Sequence, residues 1–249
     1  MTILLVDAGN TRVKWAIARD GAAPGEWLAH GAVPHAALDS LPAAWAAHDV
    51  KRAIVANVAG AALGERLAAL LPLAQPDWFT SRTELAGLRN RYRNPTQLGA
   101  DRFAAALGAR SLYPGKALVV ATCGTATTVD AVSAGGEFVG GMILPGLGLM
   151  LGSLARGTAQ LPEASAEAEA ETPPLFADNT LDAIRAGCLS AQAGAIERAC
   201  AALPAELCIV SGGAAAHVAP ALPMPYRIVD NIVLVGLHVA ANAPHPLSE

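Results

Sequence analysis

Asp7 closes the apolar run Ile3-Leu4-Leu5-Val6 and opens the octapeptide Asp7-Ala8-Gly9-Asn10-Thr11-Arg12-Val13-Lys14. A carboxylate at the end of a buried strand can reach a magnesium ion, directly or through water. Gly9 would let the turn backbone approach phosphate oxygens, and Asn10 and Thr11 offer donors to them. Lys14, on the next strand, would add a positive charge nearby. The competing reading is an ordinary hairpin whose Gly-Asn pair merely makes the turn.

A second small, hydroxyl-rich turn follows a second apolar run. Ala117-Leu118-Val119-Val120-Ala121 leads into Thr122-Cys123-Gly124-Thr125-Ala126-Thr127-Thr128-Val129-Asp130. Two such turns facing each other across a cleft between the halves would clamp a triphosphate from both sides. Neither matches GxxxxGK[ST] or GxGxxG, so the P-loop and Rossmann readings fail. Taken alone, the segment also reads as a threonine-rich strand. A third motif, Ser211-Gly212-Gly213-Ala214, ends a strand in two glycines. At the carboxyl end of a strand in an open α/β sheet, such glycines would let an adenine lie against backbone. A plain turn is the simpler reading of that piece.

The fourth stretch runs over residues 90–102 and includes Tyr92, Gly99, Ala100, Asp101 and Arg102. With Arg89, Arg91, Arg93 and Arg102 it is the most basic part of an acidic chain, and clustered arginines suit a carboxylate or phosphate. The Asn94-Pro95 step marks the approach to a helix whose body covers 103–112. Asp101 would lie near that helix's start, beside free backbone N–H groups. The alternative is a solvated loop in which Asp101 pairs with Arg102 or caps the helix.

The elements that must position these residues repeat. Each of the first two turns leads from a buried strand into another β-prone stretch, 12–18 and 127–132, and the two segments align with Gly9 on Gly124. Ile54-Val55-Ala56-Asn57-Val58-Ala59 is echoed by Ile209-Val210-Ser211-Gly212-Gly213-Ala214, and Ala-rich helical segments cover 61–71 and 181–203. Strand hairpin, helix, strand and helix in each half imply an α/β architecture built twice, with mixed sheets flanked by helices. The halves divide near Pro114-Gly115-Lys116, giving residues 1–115 and 116–249. Residues 163–174 read as a solvated Ala/Glu-rich loop or short helix.

The 249 residues are 53% apolar with only 4% aromatic, so aliphatic side chains and alanine must fill the core. A formal net charge of -4 argues against a nucleic-acid partner. Cys123, Cys188, Cys200 and Cys208 form no CxxC pair and read as buried thiols in a reducing compartment. No basic n-region opens the chain, and the greasiest stretch, 142–155, is broken by Pro145 and glycines and is too short for a bilayer. A cytoplasmic protein with no membrane partner is the expectation.

Together, in this order, the motifs resemble the type III pantothenate kinases, members of the acetate and sugar kinase, Hsp70 and actin superfamily. The resemblance runs from Asp7 to Gly213. It includes Gly99-Ala100-Asp101-Arg102, Gly140-Gly141-Met142-Ile143-Leu144-Pro145-Gly146 and Asn179-Thr180-Leu181-Asp182-Ala183-Ile184 beside the pieces above. It implies duplicated actin-like (ribonuclease H-like) domains with a cleft between them. It also implies transfer of the γ-phosphoryl group of ATP to the primary hydroxyl of pantothenate, giving 4'-phosphopantothenate in the first step towards coenzyme A. By the same resemblance Asp7 would organise magnesium, and Asp7, Ala8, Gly9, Asn10, Thr11, Arg12, Val13, Lys14 and Thr125 would bind ATP. Asp101 would be the base, and Tyr92, Gly99, Ala100, Asp101, Arg102 and Thr180 would bind pantothenate. The family's enzymes are homodimers with sites near the interface, which would let Thr180 serve the neighbouring site. Another small-molecule kinase of the superfamily, or a non-catalytic nucleotide-binding regulator, are the rival functions.

One position departs from the family pattern. Where the family carries an aspartate that ligates an activating potassium or ammonium ion, this chain has Thr122. A hydroxyl is a far weaker cation ligand than a carboxylate, which puts dependence on a monovalent cation in doubt.

Overall fold

Every residue of Ile3-Leu4-Leu5-Val6-Asp7-Ala8 is buried, and a strand covered on both faces belongs at the centre of a helix-flanked sheet. The computed structural model of the chain describes residues 1–165 and 172–244. In chain order its first part forms strands β1 (Thr2–Ala8), β2 (Arg12–Arg19) and β3 (Ala29–Pro34), helix α1 (Leu41–Trp45), β4 (Arg52–Asn57), α2 (Ala61–Leu70) and β5 (Asp77–Phe79). A small hairpin, β6 (Glu84–Leu85) and β7 (Leu88–Asn90), then precedes α3 (Ala100–Leu112). The second part forms β8 (Leu118–Cys123), β9 (Ala126–Val132), β10 (Glu137–Pro145), α4 (Leu147–Gly157), α5 (Thr180–Ala202), β11 (Leu207–Ser211), α6 (Ala215–Val218) and β12 (Tyr226–Ile228), and α7 (Ile232–Asn242) follows. Of the loop expected over 163–174, residues 166–171 lie outside the described residues.

The duplication is visible in the strand order. The first sheet runs β3-β2-β1-β4-β5, and the corresponding part of the second runs β10-β9-β8-β11-β12. In both, the opening hairpin is antiparallel and the next two strands join in parallel. The alignment of Gly9 on Gly124 holds only up to that glycine. Asp7 faces Lys14 across its hairpin, whereas its counterpart Thr122 faces Thr128, so the second turn is one residue tighter. Each unit has its own apolar core. One gathers Leu4, Val6, Val13, Ile17, Trp45 and Leu67, and the other Val119, Val129, Leu151, Ile184, Ile196 and Val210.

The unit boundary falls between Pro114 and Gly115, but the units are not continuous segments. The first also takes Gly136–Phe138 and residues 231–244, whereas the sequence places these in the second half. Glu137 and Phe138 pair with Arg89 and Asn90 of β7. Helix α7 is apolar nearly all round, and such a helix must be buried. It packs on α3 through glycines: a Cβ on Gly236 would overlap the carbonyl oxygen of Ala104, and one on Gly108 would lie 2.6 Å from that of Ile232. Among the described residues no helix is long and apolar enough to cross a membrane, and the four cysteines are free and buried.

Candidate active site

Asp7 is the penultimate residue of β1, and its register partner on β2 is Lys14, so the two side chains are neighbours on one face of the sheet. Burial raises the Asp7 carboxyl, Lys14 opposes it and the charge of Asp101 adds a smaller upward push, which together leave it at about 6. The desolvation outweighs the lysine, leaving a carboxylate that the protein alone under-compensates. That is the chemistry of a site that gains from a cation. Magnesium binds through one or two carboxylates together with substrate phosphates, and a strand-end aspartate coupled to a second aspartate fits that donor set.

Asp101 stands in the first turn of α3, one residue inside its start, with Gly99 as the N-cap. Its Oδ1 accepts from the Arg102 N–H at 2.8 Å, while the cap position itself is Gly99, which offers no side-chain cap. Burial raises the Asp101 carboxyl above the usual range, against the opposing effect of Arg102. A Cβ on Gly99 would lie 2.6 Å from Asp101 Oδ1, so a side chain there would have to displace the carboxylate.

Arg102 is buried, which is costly for a guanidinium unless its donors and faces are occupied. Nη1 donates to the Tyr92 hydroxyl at 2.8 Å, and the guanidinium lies 5.7 Å from the ring centroids of both Tyr92 and Phe138. The two rings meet edge to face at 5.8 Å. Phe138 was not a sequence candidate, and only the β10–β7 pairing, with Phe138 opposite Asn90, delivers it. The 90–98 loop is held by Asn90, whose side chain donates to the Pro95 carbonyl at 3.1 Å and accepts from the Tyr92 N–H at 3.0 Å. The other arginines part company with Arg102: Arg89 pairs with Glu84 and Arg91 with Glu137, both at 3.5 Å on the surface. The expected arginine cluster therefore reduces to one buried guanidinium with solvated companions.

The second unit holds the remaining candidates. Thr125 is exposed at the tip of the β8–β9 turn, and the Gly146 N–H donates to its carbonyl at 2.9 Å. Glycine is required at 146 because a Cβ would overlap the Gly124 carbonyl oxygen. Gly212, at φ +94°, packs equally closely on the Cys123 carbonyl, and Ala214 N–H donates to the same oxygen at 3.0 Å. The second and third motifs thus form one backbone-rich patch. Thr122 faces Thr128 on one side and Ser211 on the other in the ladder. Thr180 is exposed at the first position of α5, whose cap is Asn179 accepting from Asp182 N–H at 3.0 Å.

A duplicated α/β fold with a glycine-rich turn at the equivalent hairpin of each unit, and in one of them a buried aspartate coupled to a half-buried one, defines a phosphotransferase of the actin-like class. The fold likeness is direct. The solved structure of a Sinorhizobium meliloti protein assigned as a 2-dehydro-3-deoxygalactonokinase superposes with a TM-score of 0.59 at 20% identity, covering 99% of this chain and 98% of that one. The family model of type III pantothenate kinase matches residues 3–202, and the chain belongs to that family. A type III pantothenate kinase from Janthinobacterium sp. (strain Marseille) is 56% identical, covering 96% of this chain and 97% of the relative. One from Herminiimonas arsenicoxydans is 52% identical with the same coverage.

Asp7 also gives a stability prediction. Its folded value, about 6, exceeds the ordinary 3.8, so the native state holds the proton more tightly than the unfolded chain. Stability contributed by that proton is fully present below the unfolded value and is lost as pH rises through about 6. The penalty at neutral pH is about 3 kcal/mol. Asp7→Asn should therefore abolish activity yet raise the melting temperature in magnesium-free buffer at pH 7.5 by about 6–12 °C. The gain should shrink towards pH 4. A variant that melts lower than wild type at pH 7.5 would show that Lys14, not burial, dominates.

Proposed function

We propose that the protein transfers the γ-phosphoryl group of ATP to the primary hydroxyl of pantothenate, the activity named for its relatives. The observation that carries this reading is the coupled pair Asp7 and Asp101 in one unit, with Arg102 and Tyr92 beside the second. Phosphoryl transfer needs positioning, charge neutralisation and one group to orient or deprotonate the acceptor. Magnesium, held by Asp7 together with the phosphates, would neutralise charge on the phosphate oxygens. The first turn, Ala8 to Val13, cradles phosphates with its backbone, Lys14 adds positive charge, and Thr125 contacts ATP from the second turn. Arg102 faces the carboxylate of pantothenate, Tyr92, Gly99 and Ala100 line its site, and Thr180 serves the site of the neighbouring subunit. Asp101 accepts the hydroxyl proton as the oxygen–phosphorus bond forms. The bond from the γ-phosphorus to its bridging oxygen breaks, and ADP leaves with that electron pair.

The decisive assay combines purified protein, ATP, magnesium and pantothenate with product identification by mass. Phosphopantothenate should form, and hexoses and acetate should not be phosphorylated. No product from pantothenate, or comparable turnover of a sugar, overturns the assignment.

The reading extends to ions, assembly and location. Because hydroxyls replace the family's cation ligand at Thr122, activity should depend little on potassium. Rates in sodium, potassium and ammonium buffers should agree within about threefold, and complete inactivity in sodium refutes this. Met142 and Ile143 on β10, Leu149 on α4 and Leu181 beside Thr180 expose apolar surface, which supports a homodimer. Light scattering should give twice the 25.3 kDa chain mass, and a monomer at micromolar concentration rules it out. Free buried thiols suit the cytoplasm.

A further inference from the structure

His35 reaches the first turn from a part of the chain that no motif includes. Strand β3 runs antiparallel to β2 with Pro34 facing Arg12, so the next residue, His35, arrives beside the turn that joins β1 to β2. Its Nε2 lies 2.9 Å from the carbonyl oxygen of Gly9. A carbonyl has no hydrogen to give, so Nε2 carries the proton and donates. The N–H of the same glycine donates to the Arg12 carbonyl at 3.1 Å. Both ends of Gly9 are therefore fixed, at a residue type whose backbone would otherwise turn most freely.

The consequence follows from peptide geometry. In a planar trans peptide the C=O and the following N–H point in opposite directions. Holding the Gly9 oxygen on His35 aims the Asn10 N–H away from the imidazole, at the exposed tip of the turn. We infer that His35 is a positioning residue for ATP: it holds the Gly9–Asn10 peptide so that the Asn10 N–H stays directed at a phosphate oxygen. The inference rests on the reading of this turn as the phosphate cradle. The bond needs no positive charge, because Nε2–H is present in one neutral tautomer as well as in the imidazolium. A histidine that acted by charge on the phosphate would instead need the cation.

The test compares wild type, His35→Ala and His35→Gln, whose neutral amide can donate from a similar position. Affinity for ATP with magnesium is measured by calorimetry, and KM for ATP and for pantothenate by steady-state assay. His35→Ala should weaken ATP binding by about tenfold, the scale of one lost hydrogen bond. KM for pantothenate should stay within twofold, and His35→Gln should recover ATP affinity to within threefold of wild type. ATP affinity unchanged in His35→Ala overturns the proposal. So does an equal rise in both KM values, or a folded His35→Gln as impaired as the alanine variant, which would assign His35 a charge role. Because calorimetry needs no acceptor, a wild type that binds ATP but leaves pantothenate untouched would sink the proposed acceptor while still testing His35.

Discussion

Asp101→Asn should lower kcat by about 100- to 10,000-fold, the usual range for removing a positioned general base. Asparagine keeps the size of the side chain and an oxygen able to accept the Arg102 N–H that now holds Asp101 at 2.8 Å, so the start of α3 should survive. What disappears is the basic oxygen. An ordinary aspartate is a weak base at neutral pH, but burial lifts Asp101 above that range and brings it closer to the working pH. The base must be ionised to act, so activity falls as pH drops through its raised value. Asp7, at about 6, also loses its charge as pH falls and feels the charge of Asp101, so both carboxylates shape the acid limb of the wild-type profile. In the variant Asp7 loses a like-charged neighbour, and the residual acid limb should move to lower pH. The measurements are kcat and its pH profile with ATP affinity as the control for folding. A variant with kcat within threefold of wild type removes Asp101 from the chemistry, though not the kinase from the family.

Gly236→Ala is the largest expected effect on stability. The added Cβ would overlap the Ala104 carbonyl oxygen across the α3–α7 contact. Backbone on both sides cannot swing aside as a side chain can, so the helices must separate. Overpacking costs about 1–3 kcal/mol where rotamers can adjust, and this site should lie at or beyond the upper end. The expected result is a melting temperature lower by about 6–12 °C, or an insoluble product. Gly194→Ala on α5 is the matched control, since its Cβ would meet nothing within 4 Å. Helix propensity should make that change neutral or stabilising by up to about 1 kcal/mol. Equal melting temperatures for the two variants would show that the α3–α7 contact is looser than its geometry implies. The consequence reaches the site, because α3 carries Asp101 and Arg102 in its first turn.

Local pattern was enough for much of this protein. The buried runs at Ile3 and Leu118 are strands because both faces are apolar, and the small-residue turns after them are hairpins. Asp101 is at a helix start because Asn94, Pro95 and Gly99 break the chain just before an alanine-rich run. The echo between the regions of Asn57 and Gly212 places β4 and β11 at equivalent positions of two like-ordered sheets. Each of these signals acts over a few residues, and the ordered motif set identified the family.

Contacts between residues distant in sequence had no such signal. Arg89, Arg91, Arg93 and Arg102 look alike as a run, yet burial singled out Arg102, and Phe138 came to it only through the pairing of β10 with β7. The C-terminal helix α7 joined the first unit because Gly108 and Gly236 allow the two backbones to touch. His35 reached Gly9 because the register of β2 with β3 ends beside the turn. The sequence by itself determined the strands and the turns and singled out the two aspartates as candidates. Only the tertiary structure decided that Asp7 lies close enough to Asp101 to feel its charge, and which side chains hold each in place. Propensity and capping are encoded in neighbouring residues, whereas register and close packing depend on segments that meet only when the chain is folded.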